Sequence, residues 1–269
     1  MILLKAITRI VVISDTHTGH RVALWPENFK TKEGQEIKPS EHQLVLNEYW
    51  EDFWSKDAKE AEYVILVGDM CEGMNYAEGG KYLMTPNLDE QKRANLLLTE
   101  PKMRGKKIRG IWGSCYHGSQ DMELDGQITE ALGGKDKGVV GNLRLKKTQK
   151  IINYAHACSE AVIYRPMAVD RASLFMDAAE GIHKIPFHVD LWIRGHWHWG
   201  HVQENESRHL LLNPAWKLWA PIRKKGAKMY ERYIASTIGA TVIDIFEDWM
   251  FIKIYRYPMI PVYDKLEIA

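Results

Sequence analysis

Asp15 and His17 stand two residues apart, His196 and His198 repeat that spacing, and Asp69 and His156 each close an apolar run. Carboxylate oxygens with neutral imidazole nitrogens form a mixed donor set, which suits Mn, Fe, Zn or Ni better than Ca or Mg alone. A D-x-H or H-x-H pair is a weak signal by itself, because alternate residues of an extended segment share a face. Six such residues exceed the three or four protein ligands that one ion usually takes. That surplus points to two divalent ions with one carboxylate shared between them.

The elements that must position these residues read as strands. Ile10 to Ile13, Tyr63 to Asp69, Ile108 to His117, Ile151 to His156 and Val189 to His198 each run from apolar residues into Asp, Ser or His. As strands of one sandwich they would gather their polar ends on a single edge, where open α/β sheets bind ligands. Between them the spacing predicts a long loop over Thr18 to Ser40 and a helix over 41 to 60 with the aromatic face Tyr49, Trp50, Phe53 and Trp54. A second loop is expected over 71 to 87, then a helix from Leu88 to Thr99 that Pro101 ends. Ser119 can cap a helix over Gln120 to Leu132, which Gly133 and Gly134 stop. Asn142 to Tyr154 reads as two strands joined by a turn, and Met167 to Gly181 as a helix. His209 to Ala215 is strand-like, and a last hairpin turns at Glu247-Asp248 between Ala240 to Phe246 and Trp249 to Tyr257.

A chain of 269 residues with 45% apolar content can bury a large core, and the strand-end residues are spread too widely for separate units. One domain over 1 to 269 is expected. Thirty-six basic residues against 35 acidic ones leave a net charge of +1, so no general field draws nucleic acid or membrane. The apolar Met1 to Leu4 meets Lys5 and Arg9 and leads into the first strand, unlike a secretory leader, and no apolar stretch reaches the roughly 18 residues of a spanning helix. A soluble, cytoplasmic protein is the expectation. Three cysteines without a C-x-x-C argue against a disulfide framework. Cys71, Cys115 and Cys158 lie close to candidate site residues and read as small packing groups beneath the site, with thiolate ligation as the second choice. Lys102, Arg104, Lys106, Lys107 and Arg109 read as a solvated turn, and the histidines at 20, 42, 183, 188, 201 and 209 as surface or core. Ser114 lacks the flanking glycines of a serine-hydrolase elbow, and neither Gly-Gly-Lys segment has P-loop spacing.

The order Asp15-x-His17, Gly68-Asp69, a glycine-to-histidine segment at 113 to 118, a lone His156 and Gly195-His196-Trp197-His198 resembles the calcineurin-like metallophosphoesterase family over residues 10 to about 215. The resemblance implies an α/β fold, a four-layer α/β/β/α sandwich of two mixed sheets with flanking helices, and hydrolysis of phosphate esters at a dinuclear centre. Carried over by position, Asp15, His17 and His198 would hold one metal, Asp69 would bridge, and His156 and His196 would hold the second. One motif departs. Where the family has Gly-Asn-His followed by an acid, this chain has Gly113-Ser114-Cys115-Tyr116-His117-Gly118. Ser114 stands nearest the Asn position as a poorer ligand, and His117 either serves as general acid or turns inward as the missing ligand.

The mechanism this implies is attack on phosphorus by a hydroxide bridging two ions, with Mn the first expectation and His117 protonating the leaving oxygen. Trp197, Trp199, Trp216 and Trp219 beside Arg223, Lys224, Lys225 and Lys228 would suit a nucleotide or single strand, but alternation turns a Trp between two ligands towards the core; with a near-neutral chain, a nucleotide or other small phosphodiester is the expected substrate. The alternatives are a phosphomonoesterase on the same scaffold and a metal-binding but non-catalytic interaction module. A metal-dependent amidohydrolase barrel fits poorly, since its H-x-H belongs on the first strand. The Trp-rich C-terminal part is compatible with a homodimer.

Overall fold

The computed structural model describes residues 5–76, 79–114, 123–156, 188–204, 208–218 and 236–260. Two mixed sheets form its centre. The first contains β1 (Thr8–Ile13), β2 (Tyr63–Val67), β3 (Lys107–Ile111), β4 (Lys135–Asp136), β10 (Ile238–Ile245) and β11 (Met250–Tyr257), in the order β11-β10-β1-β2-β3-β4. The second contains β5 (Val140–Arg144), β6 (Ile151–Ala155), β7 (Leu191–Arg194), β8 (His201–Glu204) and β9 (His209–Leu212), in the order β5-β6-β7-β9-β8. β1 to β4 are parallel, and so are β6, β7 and β9, whereas β10, β11, β5 and β8 run antiparallel to their neighbours. The parallel strands therefore deliver their carboxyl ends to the same edge.

Alternation along β1 explains how the layers stack. Ile10 and Val12 point between the sheets, where they meet Ile65, Val67, Ile111, Ile152, Tyr154, Leu191, Ile193 and Ile243. Val11 and Ile13 point the other way, onto Leu46, Trp50 and Phe53 of α1 (Glu41–Ser55) and onto Leu124 and Ile128 of α3 (Leu124–Ala131). Each fully buried residue of this kind contributes about 1.5–3 kcal/mol, so β1 is held on both faces. The outer face of the second sheet carries a further apolar cluster, including Trp192, Trp197, Leu210 and Leu212. The helix expected over Met167 to Gly181, which would form the fourth layer, lies outside the described residues.

Local chemistry accounts for most helix ends, with three departures from expectation. α3 begins at Leu124 behind Glu123, which makes no side-chain cap, and not at Gln120 behind Ser119. Ser40 caps α1 through a reciprocal box with Gln43, but α1 stops at Ser55 and a 3-10 turn occupies Asp57–Glu60. α2 (Leu88–Met103) runs through Pro101. Proline in the last turn forfeits one backbone donor while its fixed φ stays helical, and buried Met103 anchors that turn in the core. α3 ends as expected: Gly133 has φ +74°, its N–H donates to Glu130 O, and the Gly134 N–H donates to Thr129 O. The hairpin at Glu247-Asp248 and the β5–β6 pair also form as expected. No helix among the described residues is long and apolar enough to cross a membrane.

Candidate metal centre

Six of the candidate residues come together at one sheet edge, in two groups. Asp15, His17 and His198 form the first, and Asp69, His156 and His196 the second. They leave the ends of β1, β2, β6 and β7, so both sheets contribute. The segments after β1 and β2 stay zipped: Asp15 N–H donates to Gly68 O, His17 N–H to Asp69 O and Thr18 N–H to Met70 O, at 3.0 to 3.1 Å. The β1 end is tied across to the second sheet, since Asn213 Nδ2 donates to Ser14 Oγ at 2.9 Å and Trp216 N–H donates to Asp15 O at 3.0 Å.

The backbone at the site is held in an unusual region. Seven described non-glycine residues have positive φ, and five of them are Asp15, His17, Asp69, His196 and His198, at +44° to +69°. Left-handed backbone at a non-glycine residue costs of order 1 kcal/mol or more, and such residues cluster where function fixes them. The turns aim side chains from parallel strand ends back towards one another.

In the first group His17 Nε2 lies 3.0 Å from His198 Nε2 and 3.8 Å from Asp15 Oδ1, and His198 Nε2 lies 3.3 Å from the same oxygen. In the second, His156 Nε2 lies 2.8 Å from Asp69 Oδ2 and 3.9 Å from Asp15 Oδ1. Donor atoms about 3.0 Å apart match octahedral coordination and about 3.4 Å tetrahedral coordination, for bonds of about 2.1 Å. In the first group the 3.0 and 3.3 Å separations are close to these values, and in each group all three donor atoms lie within 4.8 Å of one another, near enough to turn to one ion. The two imidazole nitrogens at 3.0 Å form a hydrogen bond whose donor depends on the tautomers, beside the Asp15 carboxylate.

Neighbouring groups fix the rings. His156 Nδ1 donates to Val67 O at 2.6 Å, and His17 Nδ1 donates to Glu72 Oε2 at 2.7 Å, so each presents Nε2 to the centre. Burial pushes the Asp15 carboxyl up, but the His156 charge and the hydrogen bond and charge of His198 hold it below its ordinary value. Burial lowers His196, and the His156 charge lowers it further. Cys71 is buried, and burial pushes its thiol well up. It packs in the helix-side core, as its small, weakly polar side chain suggests.

No protein-family model and no curated protein matches the chain. Solved structures align along most of its length. A dimetal phosphatase from Danio rerio is 10% identical, with 93% of this chain and 96% of that one covered and a TM-score of 0.49. Vps29 from Entamoeba histolytica, complexed with Zn2+, is 12% identical over 93% of this chain and 98% of that one, with a TM-score of 0.46. An archaeal phosphodiesterase is 14% identical over 92% and 100%, with a TM-score of 0.43. Likeness of this degree transfers no residue role.

Ser114 engages Asp69 directly. Its N–H donates to Asp69 Oδ1 at 2.7 Å, and its hydroxyl lies 3.1 and 3.2 Å from the two carboxylate oxygens. His117, Cys115 and Cys158 lie outside the described residues, as do Trp219 and the basic cluster from Arg223 to Lys228. Of the four tryptophans expected near the site, the three that are described offer little stacking surface. Trp197 and Trp216 are buried in apolar clusters, and Trp199 stacks on His201. The basic run before β3 is a surface feature: Lys102 pairs with Glu51, Arg104 with Glu100 and Lys107 with Glu62.

Four polar residues at the centre carry no signal in the sequence. Besides Asn213, these are Glu72 with Lys217, and Asp125 at the start of α3. Asp125 accepts backbone N–H bonds from Asp69, Met70 and Gly113 at 2.7 to 3.2 Å, which binds the second and third strand ends together. Burial and the Asp69 charge push its carboxyl up to about 6.

Proposed function

We propose that the chain is a two-metal phosphoesterase acting on a phosphodiester of nucleotide type. The observation that supports this best is the pair of three-donor groups at one sheet edge, with donor separations suited to divalent transition ions. In this reading Asp15, His17 and His198 hold one ion, His156 and His196 hold the other, and Asp69 is shared. When bound, two such ions, with Mn the first choice, would supply Lewis acidity at the phosphoryl oxygens and would lower the pKa of a water.

The chain's own residues orient and exclude. Asp15 and Asp69 are buried and stay ionised beside cations, so they act as ligands and not as proton donors. Ser114 steadies Asp69 through two donors, and the half-buried His196 and His198 leave the centre open to a ligand. His117 is assigned the proton for the leaving oxygen, as an imidazole suits that task near neutral pH. A net charge of +1 favours a nucleotide or other small phosphodiester over a long nucleic acid.

A second reading draws on Ser114. Its hydroxyl is engaged with Asp69 where the resemblance expects a carboxamide ligand, which would suit a metal-binding interaction module without turnover. Hydrolysis of a bis-aryl phosphodiester and the matching monoester, with Mn supplied to metal-stripped protein and Asp69→Asn as control, separates these readings. Metal-dependent diester turnover, lost in the variant, is the expected result. Preference for the monoester would reassign the substrate class, and two bound ions without turnover of either ester would favour the module.

A further inference from the structure

We infer that Glu72, clamped by Lys217 and Asn75, is the positioning residue that sets the tautomer and ring direction of His17. The inference rests on the reading that Asp15, His17 and His198 hold a cation. Glu72 is fully buried, and so is the ring it meets. A carboxylate has no proton to offer, so the 2.7 Å contact makes His17 Nδ1 the donor. In the neutral ring Nε2 then carries no proton and can accept, and it is Nε2 that faces His198 and Asp15.

The carboxylate is itself held by two further groups, and the backbone beneath it by a third bond. Lys217 Nζ lies 3.1 and 3.0 Å from its two oxygens, Asn75 Nδ2 donates to Oε1, and its own backbone N–H donates to Thr18 O at 3.0 Å. Asn75 sits at φ +43°, in the left-handed region that the ligand turns also use. Lys217 follows β9 and bridges to Ala23, so the second sheet's last parallel strand reaches under the first group. An uncompensated carboxylate buried next to a ligand would be costly, and Lys217 balances it. Outer partners of this kind typically govern metal affinity by roughly 10–100-fold.

The test uses full-length protein carrying His156→Ala, so that only the first group binds tightly, and titrates it with Mn2+. Adding Glu72→Gln, which keeps an acceptor but drops the charge, is expected to weaken binding by up to about tenfold. Adding Glu72→Leu, which removes the acceptor, is expected to weaken it by about 100-fold. Long-range 1H–15N NMR on metal-free protein without the Glu72 changes should show His17 protonated at Nδ1, and the Leu variant should lose that preference. Unchanged affinity in a folded Leu variant, or an Nε2-protonated His17 in the parent, would overturn the inference. Should the Leu variant fail to fold, the Gln variant and the parent's NMR decide. Failure of the parent to bind Mn2+ would instead overturn the metal-site reading.

Discussion

In the metal-free protein the carboxylates of Asp69 and Asp15 favour the charged form of His156. Burial alone would lower its imidazole, but Asp69 at 2.8 Å and Asp15 at 3.9 Å outweigh burial and push it up to about 10 from an ordinary 6.5. A folded-state value above the unfolded one stabilises fully below about pH 6.5 and is lost as pH rises towards about 10. The melting temperature of metal-stripped protein should therefore fall across that window, while Mn-loaded protein should hold steady. A flat metal-free profile would show that His156 does not carry the charge. For the same reason Mn uptake at pH 7 should release a proton, measurable by calorimetry in buffers of different ionisation enthalpy. Asp125→Ala leaves three backbone donors without their acceptor and should cost about 2–4 kcal/mol in denaturant unfolding. The six ligand candidates were legible because each closes an apolar run or repeats a two-residue spacing. Glu72, Lys217 and Asp125 were not, because their roles exist only through contacts 12 to 145 residues away.

Among the elements, the close approach of the β2 and β3 turns matters most. A Cβ on Gly113 would fall 2.0 Å from Asp69 Oδ1 and 2.3 Å from its backbone nitrogen, where only glycine fits. Gly113→Ala should therefore disable the second group while sparing the first, seen as loss of one of two Mn-binding steps. Retention of both steps would mean the turns part without consequence. Ser40→Ala, by contrast, removes a helix cap far from the chemistry and should cost about 1 kcal/mol of stability with metal binding intact. The long strands and the final hairpin were readable from alternation and turn residues. β4 has two residues and β8 reads His-Val-Gln-Glu, so neither offers a pattern, and both exist because a neighbouring strand edge is there to pair with. Likewise Val22, Leu24, Trp25 and Phe29 are buried within a segment whose glycines and prolines mark only loop.

At the scale of the whole molecule, the two sheets act as jaws that share one edge. β1 and β2 bring the carboxylates, β6 and β7 bring three histidines, and the core between the sheets sets how far apart they stand. That division of labour explains why the fold was inferable from strand-end residues while the exact separations were not: they depend on packing between strands that no local pattern encodes. It also means that neither sheet alone can hold either metal group as described, because Asp15 meets His198, and Asp69 meets His156, across the sheets. The most direct measurement is metal stoichiometry by elemental analysis after equilibrium dialysis against Mn2+, for the unaltered chain, His17→Ala and His156→Ala. Two ions per chain, falling to one in each variant together with loss of ester hydrolysis, is the expected result. Two ions retained in either variant, or hydrolysis that survives the loss of one, would contradict a centre built from two three-donor groups.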